Sequence, residues 1–271
     1  MYPHLLMNLE LTDRTAIIAA SSSGLGYASA RRLLEEGANV AICSRSSDRV
    51  ESAAEQLADE TNVNSNRILP AVCDITERDD IEDFVETTVE TFGSLDIQVN
   101  NHGGPPAVTF DEATEEQWEE SHEGVISSNR WMAQAALPYL KKSNIGSLLV
   151  VTSASARESP KNHAISNVYR LGLYGLVKTI SREYGPEVRA NAITPRFVMT
   201  DRIEYKIKRR ADHREISEEE ALQSRVEEVS LDRPGDPEEF ADAVAYLASP
   251  RASYVTGEIL SVDGGWSRFV L

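Results

Sequence analysis

Short apolar runs alternate along the chain with stretches whose apolar residues recur every three to four positions, a pattern that predicts strands and helices in turn from one end to the other. Residues 16–20, 39–43, 66–73, 95–99, 147–152 and 188–193 are short, apolar and partly β-branched, as strands buried on both faces of a parallel sheet must be. After the first run, Leu25, Ala28, Leu33 and Leu34 fall at helical spacing. Longer helical patterns cover residues 115–142 and 164–184, and residues 237–248 place Phe240, Val244 and Leu247 on one face. Residues 201–229 are highly charged and helix-prone. They are too long for a simple connection, so a substrate lid within residues 201–230 is expected. No linker, repeat or low-complexity segment interrupts the alternation. The expected fold is therefore α/β: a single domain over residues 1–271, built on a Rossmann-type doubly wound parallel sheet of about seven strands. Residues 1–11 have an apolar patch without the marks of a signal peptide and are expected to form an ordered or frayed arm.

The first strand and helix are joined by Ser21-Ser22-Ser23-Gly24-Leu25-Gly26. Gly24 and Gly26 lack a Cβ, so the chain can turn tightly and bring a pyrophosphate onto the backbone N–H groups at the helix N-terminus, where the helix dipole also favours an anion. An ordinary βα connection uses glycine in the same way, and the turn alone does not separate the two. About twenty residues on, at the end of the second strand, a Rossmann unit reads the adenosine ribose. Here Ser44 offers no carboxylate for a free 2′-hydroxyl, while Arg45 can neutralise a 2′-phosphate. NADP is therefore expected in preference to NAD.

The spacing Ala19-Ala20-Ser21-Ser22-Ser23-Gly24-Leu25-Gly26 resembles the Thr-Gly-x-x-x-Gly-x-Gly fingerprint of the short-chain dehydrogenase/reductase family, with Ala20 in place of the first Gly. That methyl is tolerated if φ is negative at Ala20 and weakens binding if it is not. Asn100-Asn101-His102-Gly103 is similar to the family's Asn-Asn-Ala-Gly, Ser153 matches its catalytic Ser, Pro195-Arg196 stands for its Pro-Gly, and Thr200 for the Thr that contacts the nicotinamide carboxamide. Residues 253–257 and 261–265 match its C-terminal strand. The resemblance runs from Leu9 to Ser267, with the nearest general likeness to 3-oxoacyl-acyl-carrier-protein reductases, especially a branch with a Gly-Gly-Pro-Pro turn and without the usual Tyr. It implies cofactor contacts from Ser21, Ser23, Gly24, Leu25, Gly26, Arg45, Asp74, Ile75, Asn101, Gly103, Pro195 and Thr200. Asp74 can serve twice, as the cap of the helix starting near Glu77 and as an acceptor for the adenine amino group.

Counted on from Ser153, the family's catalytic Tyr falls on Ser166 and its Lys on Arg170. Its catalytic Asn falls on Gly124 or Val125, with Asn129 the nearest Asn. A Tyr-x-x-x-Lys does occur at Tyr174 and Lys178, but eight residues late, about 12 Å along the same helix, and such i, i+4 pairs arise often by chance. In the family the Tyr hydroxyl gives the carbonyl oxygen its proton while the nicotinamide delivers hydride. Ser166 is a far weaker acid, and Arg170 keeps a positive charge. His102 and His163 are the substitute acids on offer, because imidazole titrates near neutrality. The leading expectation is an oxidoreductase interconverting a small-molecule carbonyl and a secondary alcohol, with Ser153, Ser166, Arg170 and His102 at the centre. The rival is an NADP-binding protein without turnover, a sensor or an inactive partner subunit. The family also pairs the helices of residues 115–142 and 164–184 across a two-fold axis, which implies a homodimer or homotetramer.

Charge adds one element. The net charge is −17, and the 27 basic residues are 21 Arg and 6 Lys against 44 Asp and Glu. This argues against nucleic acid and anionic membrane as partners and resembles the surfaces of proteins from salt-accumulating halophiles. Cys43 and Cys73 stand at strand ends without metal-ligand spacing, so buried thiols, a cytoplasmic setting and no metal are expected. If the acidic surface is an adaptation to salt, the melting temperature rises as molar KCl screens carboxylate repulsion. A thermal melt series from 0.1 to 3 M KCl that is flat or falling contradicts this reading.

Overall fold

The computed structural model describes residues 8–269, so the first seven residues of the expected arm lie outside the described residues. Seven parallel strands form one sheet in the order β3-β2-β1-β4-β5-β6-β7. They are β1 (Thr15–Ile18), β2 (Asn39–Ser44), β3 (Ile68–Val72), β4 (Ile97–Asn100), β5 (Ser147–Val151), β6 (Arg189–Pro195) and β7 (Ile259–Val262). β1 is central: Ile17 stands level with Ala41 of β2 on one side and Gln98 of β4 on the other. The strand order reverses at β1 and β4, so their carboxyl ends open a crevice where a ligand can enter between the connecting loops.

Helices cover both faces because every strand is apolar on both. On one face lie α1 (Gly24–Glu35), α2 (Ser47–Thr61) and α10 (Pro237–Ala248). There Leu33, Leu34, Val50, Leu57, Phe240, Val244 and Leu247 pack into a common core. Phe240 and Val244 are completely buried, as their shared face predicts, and each such side chain stabilises the fold by roughly 1.5–3 kcal/mol. The other face carries α3 (Arg78–Phe92), α4 (Glu115–Ser121), α5 (Ser128–Leu140) and α7 (Ala164–Glu183), with Phe84, Met132, Leu137, Leu173 and Val177 inside. The single-turn α6 (Ser155–Glu158) follows β5.

Two expectations change. The helical pattern over residues 115–142 is not one helix, because a π-helical turn, His122–Ser127, separates α4 from α5. Asn129 Nδ2 donates to the carbonyl of Val125 (2.7 Å) just after that turn, and π-turns of this kind concentrate at functional sites. Asp74 does not cap α3, whose N-cap is Glu77; its carboxylate instead accepts from Thr76 N and Thr76 Oγ1, closing an Asx turn. The region expected as a lid is a helical pair, α8 (Asp201–Arg214) and α9 (Glu218–Val226). It has a small core of its own in Phe197, Ile207, Ala211, Ala221, Val226 and Val229.

Cys43 and Cys73 are free and buried. No helix among the described residues is long and apolar enough to cross a membrane. Among the same residues no group of three or more His, Cys, Asp or Glu is placed to hold a metal ion.

Ala20 sits at φ +47°, in the left-handed region, which an L-residue with a Cβ enters at a cost of roughly 1–2 kcal/mol. Ala20→Gly removes that strain and adds roughly 0.5–1 kcal/mol of unfolded-state entropy. The expected net effect in urea denaturation is a stabilisation of about 0.5–1 kcal/mol; a variant less stable than the parent contradicts the strain.

Candidate active site

The cradle between β1 and α1 is closed by a direct contact from β4. Asn101 Nδ2 donates to the carbonyl of Ala20 at 2.9 Å. A Cβ on Gly26 would come within 2.7 Å of that same oxygen and 2.9 Å of Asn101 Nδ2, so only glycine allows the two loops to meet. Gly24 has φ +60°. Ser23, the N-cap of α1, makes no side-chain cap and the first turn carries no acid, so the helix N-terminus keeps free donors for an anion. Opposite stands Thr200, the N-cap of α8, with Cγ2 3.7 Å from where a Cβ on Gly24 would lie. Ser21 is different from its neighbours. Its buried hydroxyl donates to the carbonyl of Ile18 and accepts from Cys43 N, bracing β1 against β2 and leaving nothing for a ligand.

From this cradle the crevice runs two ways. One arm, about 440 Å³, is lined by Ser44, Arg45, Arg49, Asp74, Ile75 and Gly103. The Arg45 side chain is 79% exposed, with Nη1 4.0 Å from Asp74 Oδ2. Arg49 adds a second cation that the strand-end pattern did not single out; it lies one helical turn into α2. The residues here fit a phosphorylated adenosine: glycines that admit no side chain, an uncapped helix start, and two guanidinium groups free to turn.

The other arm, about 710 Å³, contains Gly24, Leu25, Asn101, Pro195 and Thr200 and extends along α8. The residues of the expected catalytic group meet in it. Ser153 Oγ accepts from Ser155 Oγ at 3.0 Å, and Ser155 Oγ lies 3.3 Å from Ser166 Oγ, giving a chain of three hydroxyls. Arg170, one turn after Ser166, is buried and donates from Nη1 to the carbonyl of Thr152 at 2.5 Å. Burial lowers it to about 10, the neighbouring charge of Arg202 adding to the effect, so it remains a cation at neutral pH. Ser155 was not anticipated, since nothing in its own sequence context sets it apart. Tyr174 and Lys178 are turned away. The Tyr174 hydroxyl donates to the carbonyl of Ser153 (3.3 Å), its ring is in the core, and Lys178 Nζ donates to the carbonyl of Gly257 (2.6 Å).

His102, expected as a candidate acid, lies in the same arm. It is almost fully buried, with Nδ1 2.6 Å from the carbonyl of Gly103. A carbonyl only accepts, so Nδ1 carries the hydrogen and the buried Nε2, which has no partner, is a bare acceptor. Burial first, then Arg170, pushes the imidazole down to about 3. His163, the other histidine considered, is also lowered, by burial and then by Arg196, Lys206 and Arg225.

A family model described as enoyl-(acyl carrier protein) reductase matches residues 19–267. The 3-oxoacyl-(acyl-carrier-protein) reductase of Thermotoga maritima is 31% identical over 265 residues, 95% of this chain and 99% of the relative. L-Sorbose reductase from Gluconobacter frateurii, solved with NADPH and L-sorbose, is similar in structure at a TM-score of 0.92 and 28% identity, covering 97% of this chain and 100% of that one. A short chain oxidoreductase from Pseudomonas aeruginosa PAO1, solved with NADPH and described as containing an atypical catalytic center, gives 0.87 at 31% identity, over 95% and 98% of the two chains.

The state of His102 has a measurable consequence. Its folded value of about 3 lies below the ordinary 6.5. Unfolded chains therefore bind a proton that the fold refuses once the pH drops under 6.5. Stability is lost progressively from there toward pH 3, at roughly 1.4 kcal/mol per pH unit. Between pH 7 and 5 the parent is expected to lose about 2 kcal/mol more than His102→Gln in chemical denaturation; equal losses contradict a neutral buried His102.

Proposed function

The chain belongs to the short-chain dehydrogenase/reductase family, and on that premise we propose that it is an NADP(H)-dependent oxidoreductase that interconverts a carbonyl and a secondary alcohol at a centre of serines and arginine. The observation that carries this reading is the hydroxyl chain Ser153–Ser155–Ser166 beside Arg170, in the arm of the crevice that continues from the α1 cradle. The family's tyrosine and lysine correspond to Ser166 and Arg170, so a different source for the proton is required.

Ser23, Gly24, Leu25 and Gly26 with Asn101 and Gly103 hold the dinucleotide along the α1 turn, Asp74 and Ile75 border the adenine, and Pro195 and Thr200 border the nicotinamide. Arg45, with Arg49, pairs with the 2′-phosphate. A bound reduced nicotinamide supplies hydride to a carbonyl carbon. Ser153 donates a hydrogen bond to the carbonyl oxygen, with Ser155 donating to Ser153 and Ser166 to Ser155 behind it, and the buried charge of Arg170 stabilises the negative charge that develops there. The oxygen takes its proton from a serine hydroxyl, which is refilled along the chain from water at the mouth of the crevice. The two relatives solved with NADPH support the cofactor, and the description of one as containing an atypical catalytic center supports a departure from the usual centre.

The same reading extends to assembly and setting. α7 leaves Val168 and Leu171 both 55% exposed, one turn apart, an apolar strip that suits a homodimer or homotetramer built on the long helices. Buried free thiols suit a reducing cytoplasm. The neutral His102 favours the rival, a cofactor-binding protein without turnover, because it removes one of the candidate acids.

NADPH oxidation over a panel of ketones and aldehydes in molar KCl tests the proposal. Turnover is expected with at least one carbonyl class, reduced roughly 10²-fold or more in Ser153→Ala. No oxidation with any carbonyl, while NADPH still binds, establishes the rival. In fluorescence titration Arg45→Ala is expected to weaken NADPH about tenfold, the loss of one charge-assisted contact, and to leave NADH unchanged. Equal effects on both cofactors remove the 2′-phosphate assignment.

A further inference from the structure

The lid end of the larger arm is cationic in a chain that is otherwise strongly acidic. Arg170, Arg196, Arg202, Lys206 and Arg209 all line it, and Asp201 is the one carboxylate that does. A random draw from 44 acidic and 27 basic residues favours the opposite composition. Among the described residues, none of these five cations forms an ion pair within 4.0 Å, although twelve such pairs occur elsewhere.

Of these cations Arg170 and Arg196 are fixed by protein contacts, while Lys206 and Arg209 are exposed. The Arg196 guanidinium lies 4.0 Å from the Trp266 ring centroid, and its Nε is buried without a partner. Lys206 is pushed down to about 8 by burial and then by Arg202, Arg225, Arg196 and Arg170, with no carboxylate among the influences on it. His163 is lowered as well, by burial and then by Arg196, Lys206 and Arg225. Glu228 and Asp263 offer only partial relief, both acting on Arg196 and Glu228 also on Arg225, while Glu228 accepts from Trp266 Nε1 at 3.1 Å. Gathering like charges in a half-closed cleft costs free energy, and the cost is offset when a ligand brings the opposite charge. Donors gathered in this way are strongest toward a carboxylate or a phosphate, because both accept several hydrogen bonds at once.

We propose that Arg196, Lys206 and Arg209 form a binding site for an anionic group of the substrate, a carboxylate or a phosphate, so that the substrate is an oxo- or hydroxy-acid or a phosphorylated carbonyl compound. The identification of this group as part of a substrate rests on the oxidoreductase reading of the crevice. Arg170 sits deeper, at the hydroxyl chain, and Arg202 donates to the carbonyl of Gly104 at the cradle; neither is assigned to the site. Distance along the crevice then sets specificity. The anionic group is gripped by the lid, and the carbonyl is presented to Ser153.

Isothermal titration of NADPH-saturated protein at fixed ionic strength tests the site without turnover, since the cofactor's own phosphates are already accommodated. The probes are malonate for a carboxylate, inorganic phosphate for a phosphate, and malonamide as the uncharged control. At least one anion is expected to bind where malonamide does not, the tighter of the two naming the group. That affinity falls about tenfold or more in Lys206→Gln and recovers in Lys206→Arg. Neither anion binding, or Lys206→Gln binding as well as the parent, overturns the proposal. In turnover, kcat/KM for a carbonyl compound bearing the anionic group that binds tighter is expected to drop at least about tenfold on methyl esterification of that group, and an ester reduced as well as its parent acid also overturns the proposal. Anion binding without turnover of acid or ester contradicts the redox reading and leaves the anion site standing.

Discussion

The contact between Asn101 and the carbonyl of Ala20 is the point to which the rest of the crevice is referred. It ties the end of β4 to the turn after β1 at the place where the strand order reverses, so the two loops that wall the ligand cleft cannot drift apart. The closeness leaves no room for a side chain at Gly26, and it is kept even though Ala20 is held at positive φ. The positive φ is the case in which the Ala20 methyl is expected to weaken binding at this turn. β5 and α7 then place the hydroxyl chain along the wall that the same sheet provides.

Charge divides the molecule into two regimes. Outside, an excess of carboxylates repels anions and is expected to lean on salt. Within the crevice the sign inverts in the larger arm, while the smaller arm sets Arg45 and Arg49 against Asp74 and Glu120. Burial tunes both histidines to neutrality and leaves Arg170 a cation, so hydrogen-bond donors and fixed charge, rather than an imidazole acid, are what the cleft presents to a substrate.

Much of this was legible in the sequence because it is written in local patterns. Short apolar runs marked the strands to within a few residues, and Phe240, Val244 and Leu247 marked the buried face of α10. The glycines at 24 and 26 marked the cradle, and a count along α7 put Ser166 and Arg170, rather than Tyr174 and Lys178, at the cleft. What escaped depends on contacts between distant segments. The π-turn after α4 follows an unbroken helical pattern, and Asp74 chooses an Asx turn over a cap for reasons that lie in its surroundings. His102 has an ordinary imidazole's expected titration until burial beside Arg170 removes it. Ser155 and Lys206 look like any serine or surface lysine until β5, α7 and α8 are brought to one end of the sheet.

The claim on which most depends is that the acid work passes through Ser166 and its neighbours and not through the displaced tyrosine. Single-turnover transfer of deuterium from NADPH labelled at the nicotinamide C4, read by mass spectrometry of the alcohol formed, measures this directly. The account predicts that Tyr174→Phe transfers deuterium at nearly the parent rate and that Ser166→Ala is slowed by roughly 10²-fold. Transfer lost in Tyr174→Phe and retained in Ser166→Ala would contradict it.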